Sequence, residues 1–223
     1  MKYRLLLALL LIFSVLQVKA QRDFKPELYV GVGGGALSSS VDFAPQKVFQ
    51  DMYLGYFGGV AAKYIAQKNM GIVAELNYTQ RGWKEKFRDN PEFAYTRTLN
   101  YVEIPFMTHV YAGKKNMRFI FNAGPQIGVL INDNQIMSNG LADNLGENKN
   151  TMQYMPIDSL KRFDYGLVGG LGLELKTNAG VFDLEGRYYF GLNDLFPNRR
   201  GDYFARSAHR IIEAKLTYYI KLK

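Results

Sequence analysis

The stretch from Ile212 to Lys223 alternates without a break. Ile212, Ala214, Leu216, Tyr218, Ile220 and Leu222 are apolar or amphipathic, and Glu213, Lys215, Thr217, Tyr219, Lys221 and Lys223 lie between them. Successive side chains of a strand point to opposite faces, so one face here is apolar and the other charged. A slip of one residue would exchange the two faces, which fixes the register strongly. A helix would need a period near 3.6.

The same period runs through the rest of the chain. Phe182, Leu184, Tyr188 and Phe190 share a face against Asp183, Glu185, Arg187 and Tyr189. In 163–176, Tyr165, Leu167, Leu171, Leu173 and Leu175 oppose Asp164, Glu174 and Lys176. In 117–131, Phe119, Phe121, Ala123, Ile127 and Val129 oppose Arg118, Asn122 and Gln126. In 100–111, Val102, Ile104, Phe106 and Val110 oppose Glu103 and His109. In 70–81, Ile72, Ala74, Leu76 and Tyr78 oppose Glu75, Asn77, Thr79 and Arg81. In 53–65, Tyr56, Val60, Ala62 and Tyr64 oppose Lys63, and in 26–36 Leu28, Val30 and Val32 oppose Tyr29, Gly31 and Gly33. This predicts eight strands, each near the roughly 9–11 residues that a tilted strand needs to cross a bilayer.

Tight turns rich in Gly and Asn are expected at 67–69, 113–116 and 177–180, and long links at 37–51, 82–99, 132–162 and 192–207. Short and long connections alternating in this way mark an up-and-down outer-membrane barrel with short periplasmic turns and long extracellular loops. Pro105 and Pro125 fall inside strands, where each removes a ladder donor, and are expected to mark bulges or bends.

The N-terminus fits export. Lys2 and Arg4 precede an apolar run from Leu5 to Leu16, and Val18-Lys19-Ala20 reads as a cleavage site. Residues 1–20 are thus expected to be a cleaved signal peptide and 21–223 a single barrel domain. The apolar run is short for a spanning helix of about 20 residues. Three of the 28 basic residues lie in this segment, so the net charge of +8 falls to +5 on 21–223, and no nucleic-acid partner is expected. With no cysteine, the chain has no disulfide, thiol nucleophile or lipid-anchored cysteine. No cofactor is expected.

A bilayer dictates which face points where. A Lys or Arg facing lipid at the midplane costs roughly 2–4 kcal/mol. Lys63, Glu75, Glu103, Arg118, Glu174, Glu185, Arg187, Glu213 and Lys215 should therefore point inward. An eight-stranded barrel is just wide enough to be filled by side chains. These four bases and five acids are expected to pair across the lumen as a structural network, with lumen glycines making room for the longer ones. The alternative reading of the cluster is a proton or ion path. The 14% aromatic content finds a place at the two water–lipid boundaries, where Tyr56, Tyr64, Tyr78, Trp83, Tyr165, Tyr188 and Tyr218 are expected to face outward.

Five motifs in order carry a family resemblance. They are Tyr29-Val30-Gly31-Val32-Gly33-Gly34-Gly35, Gly58-Gly59, Glu75-Leu76-Asn77-Tyr78-Thr79-Gln80-Arg81-Gly82, Tyr101-Val102-Glu103-Ile104-Pro105-Phe106 and Arg187-Tyr188-Tyr189-Phe190-Gly191-Leu192. In these the chain resembles the PorT-like outer-membrane β-barrel proteins. The resemblance implies the same barrel. Its name-giving member takes part in a secretion apparatus, which implies envelope or secretion proteins as partners. The chain departs from many barrels in ending Ile220-Lys221-Leu222-Lys223, without a terminal aromatic residue.

Other candidate sites are weaker. Gly31 to Gly35 lacks the Gly-Lys-Ser/Thr of a phosphate loop. A lipid-modifying enzyme would have to use His109 or His209, with Ser207 or Glu103 nearby. Two distant histidines make a poor metal site. Asn77-Tyr78-Thr79 matches a glycosylation sequon in mid-strand, and Arg200-Gly201-Asp202 lies in the last long loop. Arg199, Arg200, Arg206 and Arg210 are expected to meet lipopolysaccharide phosphates or a partner, because guanidinium–phosphate bonds are charge-assisted. The reading is a non-enzymatic outer-membrane barrel, structural or binding in role and a possible accessory of protein secretion or assembly. The alternatives are an outer-membrane lipid-modifying enzyme and a soluble periplasmic ligand-binding barrel.

Overall fold

The computed structural model describes residues 24–45, 48–88, 90–114, 116–145, 152–199 and 202–222. The expected signal peptide lies outside them, as do Arg200 and Gly201. Eight long antiparallel strands close into a ring: β1 (Glu27–Ala44), β3 (Tyr53–Gln67), β4 (Met70–Glu85), β5 (Tyr95–Lys114), β6 (Met117–Met137), β7 (Phe163–Thr177), β8 (Gly180–Asp194) and β9 (Arg206–Lys221). Each pairs with its neighbours in sequence, and β1 with β9 closes the ring, so no exposed sheet edge runs along the barrel. A two-residue strand, β2 (Gln50–Asp51), pairs with the far end of β4, and a short helix, α1 (Asn139–Leu145), follows β6.

The three hairpin turns gather at one end with both strand termini. Asn69 (φ 70°) turns β3 into β4, and Gly180 (φ 147°) opens β8, a conformation that a side chain at Gly180 would strain. The four longer connections lie at the opposite, extracellular end. They are shorter than the alternation predicted, because the strands run on to Ala44, Glu85, Met137 and Asp194 and resume at Tyr95 and Arg206. Strands of 15 to 21 residues therefore exceed a bilayer crossing.

The prolines leave the register intact. Pairing of β5 with β4 lapses between Phe106–Ala74 and Glu103–Asn77, where Pro105 has no N–H to donate, and then resumes unshifted. The β6–β7 register also runs unbroken through Pro125. The actual shift falls between Asn100 and Tyr101, opposite Ile131, so that Ile131 is the extra residue of a bulge.

Along the outer face, a belt of exposed apolar side chains surrounds the ring. It includes Val32, Val60, Leu76, Phe106, Phe121, Leu171, Leu184 and Leu216. So large an apolar surface belongs in lipid. Above it the outward residues turn polar: Ser38, Ser40 and Asp42 on β1, Gln80 and Lys84 on β4, Asn100, Thr98 and Thr96 on β5, and Arg210 and Arg206 on β9. Among the described residues no helix is long and apolar enough to cross a membrane; the strands cross it.

Trp83 corrects the expected aromatic girdle. It is fully buried inside the ring rather than facing lipid. Its odd position on β4 puts it on the same inner face as Glu75 and Arg81, so parity decides against the lipid. Tyr56, Tyr64, Tyr78, Tyr165 and Tyr188 do face outward, and Tyr218 lies half-buried on the same face.

Candidate functional site

The inner face is built in layers. Nearest the periplasm, Lys63 donates to Glu174 (2.7 Å) and Asp183 (2.8 Å), and Tyr219 lies under its ammonium at 4.2 Å. Arg118 reaches Glu174 at 3.3 Å from the mouth and stacks on Tyr111. In the middle layer, Arg187 donates to both oxygens of Glu75 (2.8 and 2.9 Å) and to Glu185 (2.6 Å). Lys215 also binds Glu75, and Asn122 links Glu185 to His109. Glu213 is buried here, with no direct ion pair among the described residues.

The next layer joins Glu103, expected from the sequence, to two charged residues outside that list, Arg81 and Asp164. Arg81, fully buried, pairs with Asp164 (2.6 Å) and Glu103 (3.0 Å) over the Tyr101 ring (3.6 Å). Tyr189 and Thr79 donate to Asp164 and Glu103 respectively. The signal was present, since Arg81 and Asp164 share the inward parity of the nine listed residues, all of which the structure places on the inner face. Buried charges need partners of this kind, since each alone would cost several kcal/mol. Glycines give the long chains their space: a Cβ at Gly170 would lie 2.8 Å from Arg187 Cγ, and one at Gly33 would lie 3.1 Å from Lys215 Cε.

Above the arginine layer the lumen ends in an apolar cap. Phe43, Trp83, Leu99, Leu130, Leu141, Leu160, Leu195, Phe196 and Phe204 form one buried cluster, drawn from strand ends, α1 and the connecting loops. Phe43 stacks on Phe204 (4.5 Å between ring centres) and meets Trp83 edge-on (5.6 Å). Arg97 binds Asp133 (2.6 Å) and the Gln153 carbonyl (2.9 Å), which pins the loop over the mouth. Burial pushes the Glu85 carboxyl above the ordinary range, against hydrogen bonds from Tyr154 and Gln153. Burial and the neighbouring Glu85 also push the Tyr154 hydroxyl up.

Both histidines are buried on the inner face: His109 beside Asn122, and His209 edge-on to Tyr101 (5.9 Å). The Ser207 hydroxyl accepts the Phe196 N–H rather than facing His209. Outside, Asp42 takes both Arg206 and Arg210 at 3.1 Å, and Arg210 lies 3.7 Å over the Phe190 ring. Arg199 is exposed at the rim, with its backbone N–H donating to Asp202. Arg200 lies outside the described residues.

Among solved structures, the chain is similar to Neisserial surface protein A (11% identity over 89% of this chain and 100% of that one, TM-score 0.48). It is likewise similar to OprG from Pseudomonas aeruginosa (12% identity, 90% and 96%, TM-score 0.46) and to outer membrane protein W of E. coli (14% identity, 89% and 100%, TM-score 0.44). No curated protein matches it. A family model matches residues 19–197, well over half of the sequence, and the chain belongs to the outer membrane protein beta-barrel domain family.

Proposed function

We propose that the chain is a non-enzymatic structural and binding component of the outer membrane, with its extracellular rim as the working surface. The observation that carries this reading is the filled lumen. Three layers of ion pairs and an apolar cap occupy the interior, which favours a scaffold over a diffusion pore. The charges then serve to hold strands in register across the barrel. The five ordered motifs support a PorT-like assignment, and with it an accessory role in secretion or assembly through partners at the rim.

Lipopolysaccharide is the proposed lipid contact. Arg206 and Arg210 stand on the outer face just above Ile212, the last exposed apolar residue of β9 toward the rim. That is the level of lipid A phosphates, and Asp42 holds both guanidiniums toward it. Arg199 extends the same surface.

Reconstitution tests the reading. Barrels in lipopolysaccharide-containing bilayers should show no unitary conductance and should melt at a higher temperature than in phosphatidylcholine. The double variant Arg206→Ala/Arg210→Ala should lose most of that gain. Stable single-channel steps would reject the scaffold reading. An unchanged gain would reject the arginine site. Cross-linking in intact outer membranes, with recovery of envelope proteins, tests the accessory role.

A further inference from the structure

His209 stands at the floor of the cap with nothing to bond. It is 1% exposed, and neither ring nitrogen has a hydrogen-bond partner among the described residues. The ring meets Tyr101 edge-on at 5.9 Å. Across the ladder His209 pairs with Val41, and both Val41 and Tyr101 belong to the apolar cluster of the cap. A neutral imidazole carries one donor and one acceptor, so the site is unfavourable even without a charge. A second proton turns both nitrogens into donors and adds a positive charge.

The surroundings offer that charge no counter-ion. From β1 the residue opposite is Val41, and from β8 Gly191 lies against the His209 backbone. The Tyr189 hydroxyl donates to Asp164 of β7. From β4, Arg81 lies 3.6 Å over the same Tyr101 ring and already holds the nearby carboxylates, Asp164 and Glu103 of β5. Burial, with Arg81 beside it, keeps the His209 imidazole well below its ordinary value of 6.5. The β8–β9 connection closes over this floor. The Leu195 N–H donates to the Ser207 carbonyl (2.8 Å) and the Phe196 N–H to the Ser207 hydroxyl (3.0 Å), two residues from His209. The Asp194 carboxylate accepts the Ser207 N–H at 2.7 Å, and Phe196 packs on Phe43, Trp83 and Phe204. So few bonds can be released by a local opening that leaves the membrane strands folded.

We propose that His209 makes the β8–β9 connection an acid-released latch: charging the imidazole lifts the connection, lets water reach the ring and bares Phe196 and Phe204 to the medium. The rim would then be polar and closed at neutral pH and apolar in acid. The sign follows from linkage. The closed state binds the proton less well than the open one, so the latch is held above about pH 6.5 and is lost as pH falls below it. Glu85 acts elsewhere in the cap, on the turn that carries Gln153 and Tyr154, and with the opposite sign.

Hydrogen exchange of the full chain refolded in detergent tests this, read at the Leu195 and Phe196 amides and corrected for intrinsic rate. Between about pH 6.5 and about pH 4.5, exchange there should quicken by up to about tenfold per pH unit, the slope of one proton. Acrylamide quenching of Trp83, the single tryptophan of the chain, should rise in parallel. His209→Phe keeps a ring that cannot titrate, and its exchange should stay flat over that range. Should it fail to fold, His209→Gln carries the test. Glu85→Gln should leave the response at Leu195 and Phe196 in place. Constant exchange in the wild type, the same acid response in the folded His209 variant, or loss of the response in Glu85→Gln would overturn the proposal.

Discussion

The membrane section of the barrel and the cap above it obey opposite rules on the same strands. On β4 the inner face reads Glu75, Asn77, Thr79 and Arg81 inside the belt, then Trp83 in the cap. Its outer face reads Ile72, Ala74, Leu76 and Tyr78, then Gln80 and Lys84. β5 repeats the exchange: Phe106, Ile104 and Val102 face lipid, Asn100 is held between Gln80 and Asn132 at the boundary, and Thr98 and Thr96 lie on the outward face over Leu99 and Tyr95. The pleat continues unchanged, and only the solvent differs. In lipid the apolar face turns outward and the interior must be held by paired charges. In water the hydrophobic effect drives the apolar face inward, and the cap is packed like a soluble core.

Breaking the two interiors should therefore have different signatures. Glu75→Leu leaves Arg187 and Lys215 buried without their shared carboxylate, and should destabilise the whole barrel by about 3–5 kcal/mol in urea unfolding from lipid bilayers. Trp83→Ala removes the largest side chain of the cap, at a local cost of about 3–5 kcal/mol. Its mark should be faster hydrogen exchange and proteolysis near Tyr95 and Phe196, with the membrane strands still protected. A global loss equal to that of Glu75→Leu would show that cap and lumen form one cooperative unit.

The outer faces give the next contrast. Leu76→Arg puts a charge into the belt and should cost about 2–4 kcal/mol. Thr98→Arg, on the same kind of outward position above the boundary, should stay within about 0.5 kcal/mol. Equal effects in refolding titrations would misplace the boundary between Tyr78 and Gln80. The smallest effect is the pH dependence of the cap. The Glu85 carboxyl is raised in the folded state, so the folded cap binds more protons than the unfolded chain. Cap stability should therefore fall as pH rises from about 4.5 through the raised value, and Glu85→Gln should flatten that slope in cap hydrogen exchange.

Much of this was legible in the alternation. All eight strands, their order and the side most residues face follow from period two and from turns such as Lys68-Asn69; the bulge at Ile131 does not. What escaped was the inversion. Once the outward face turns polar at Ser38 or Asn100, the pattern resembles a loop, so the alternation alone stops short of the strand ends at Ala44 and Tyr95. The tendency of aromatics to collect at interfaces points Trp83 to the lipid, but its parity is that of Arg81, and parity prevails. The Arg81–Asp164 pair joins residues 83 positions apart, and only ring closure brings them within a hydrogen bond.

The sequence by itself determined the strand period, the face of most strand residues and the need for a bilayer, because side-chain alternation is a local property of an extended chain. Tertiary structure decided the partners. Which carboxylate answers Arg187, how Asp42 gathers two arginines, and how Phe43, Trp83, Phe196 and Phe204 meet above the membrane all depend on curvature and closure. Those distances are set by the ring as a whole, and no window of neighbouring residues contains them.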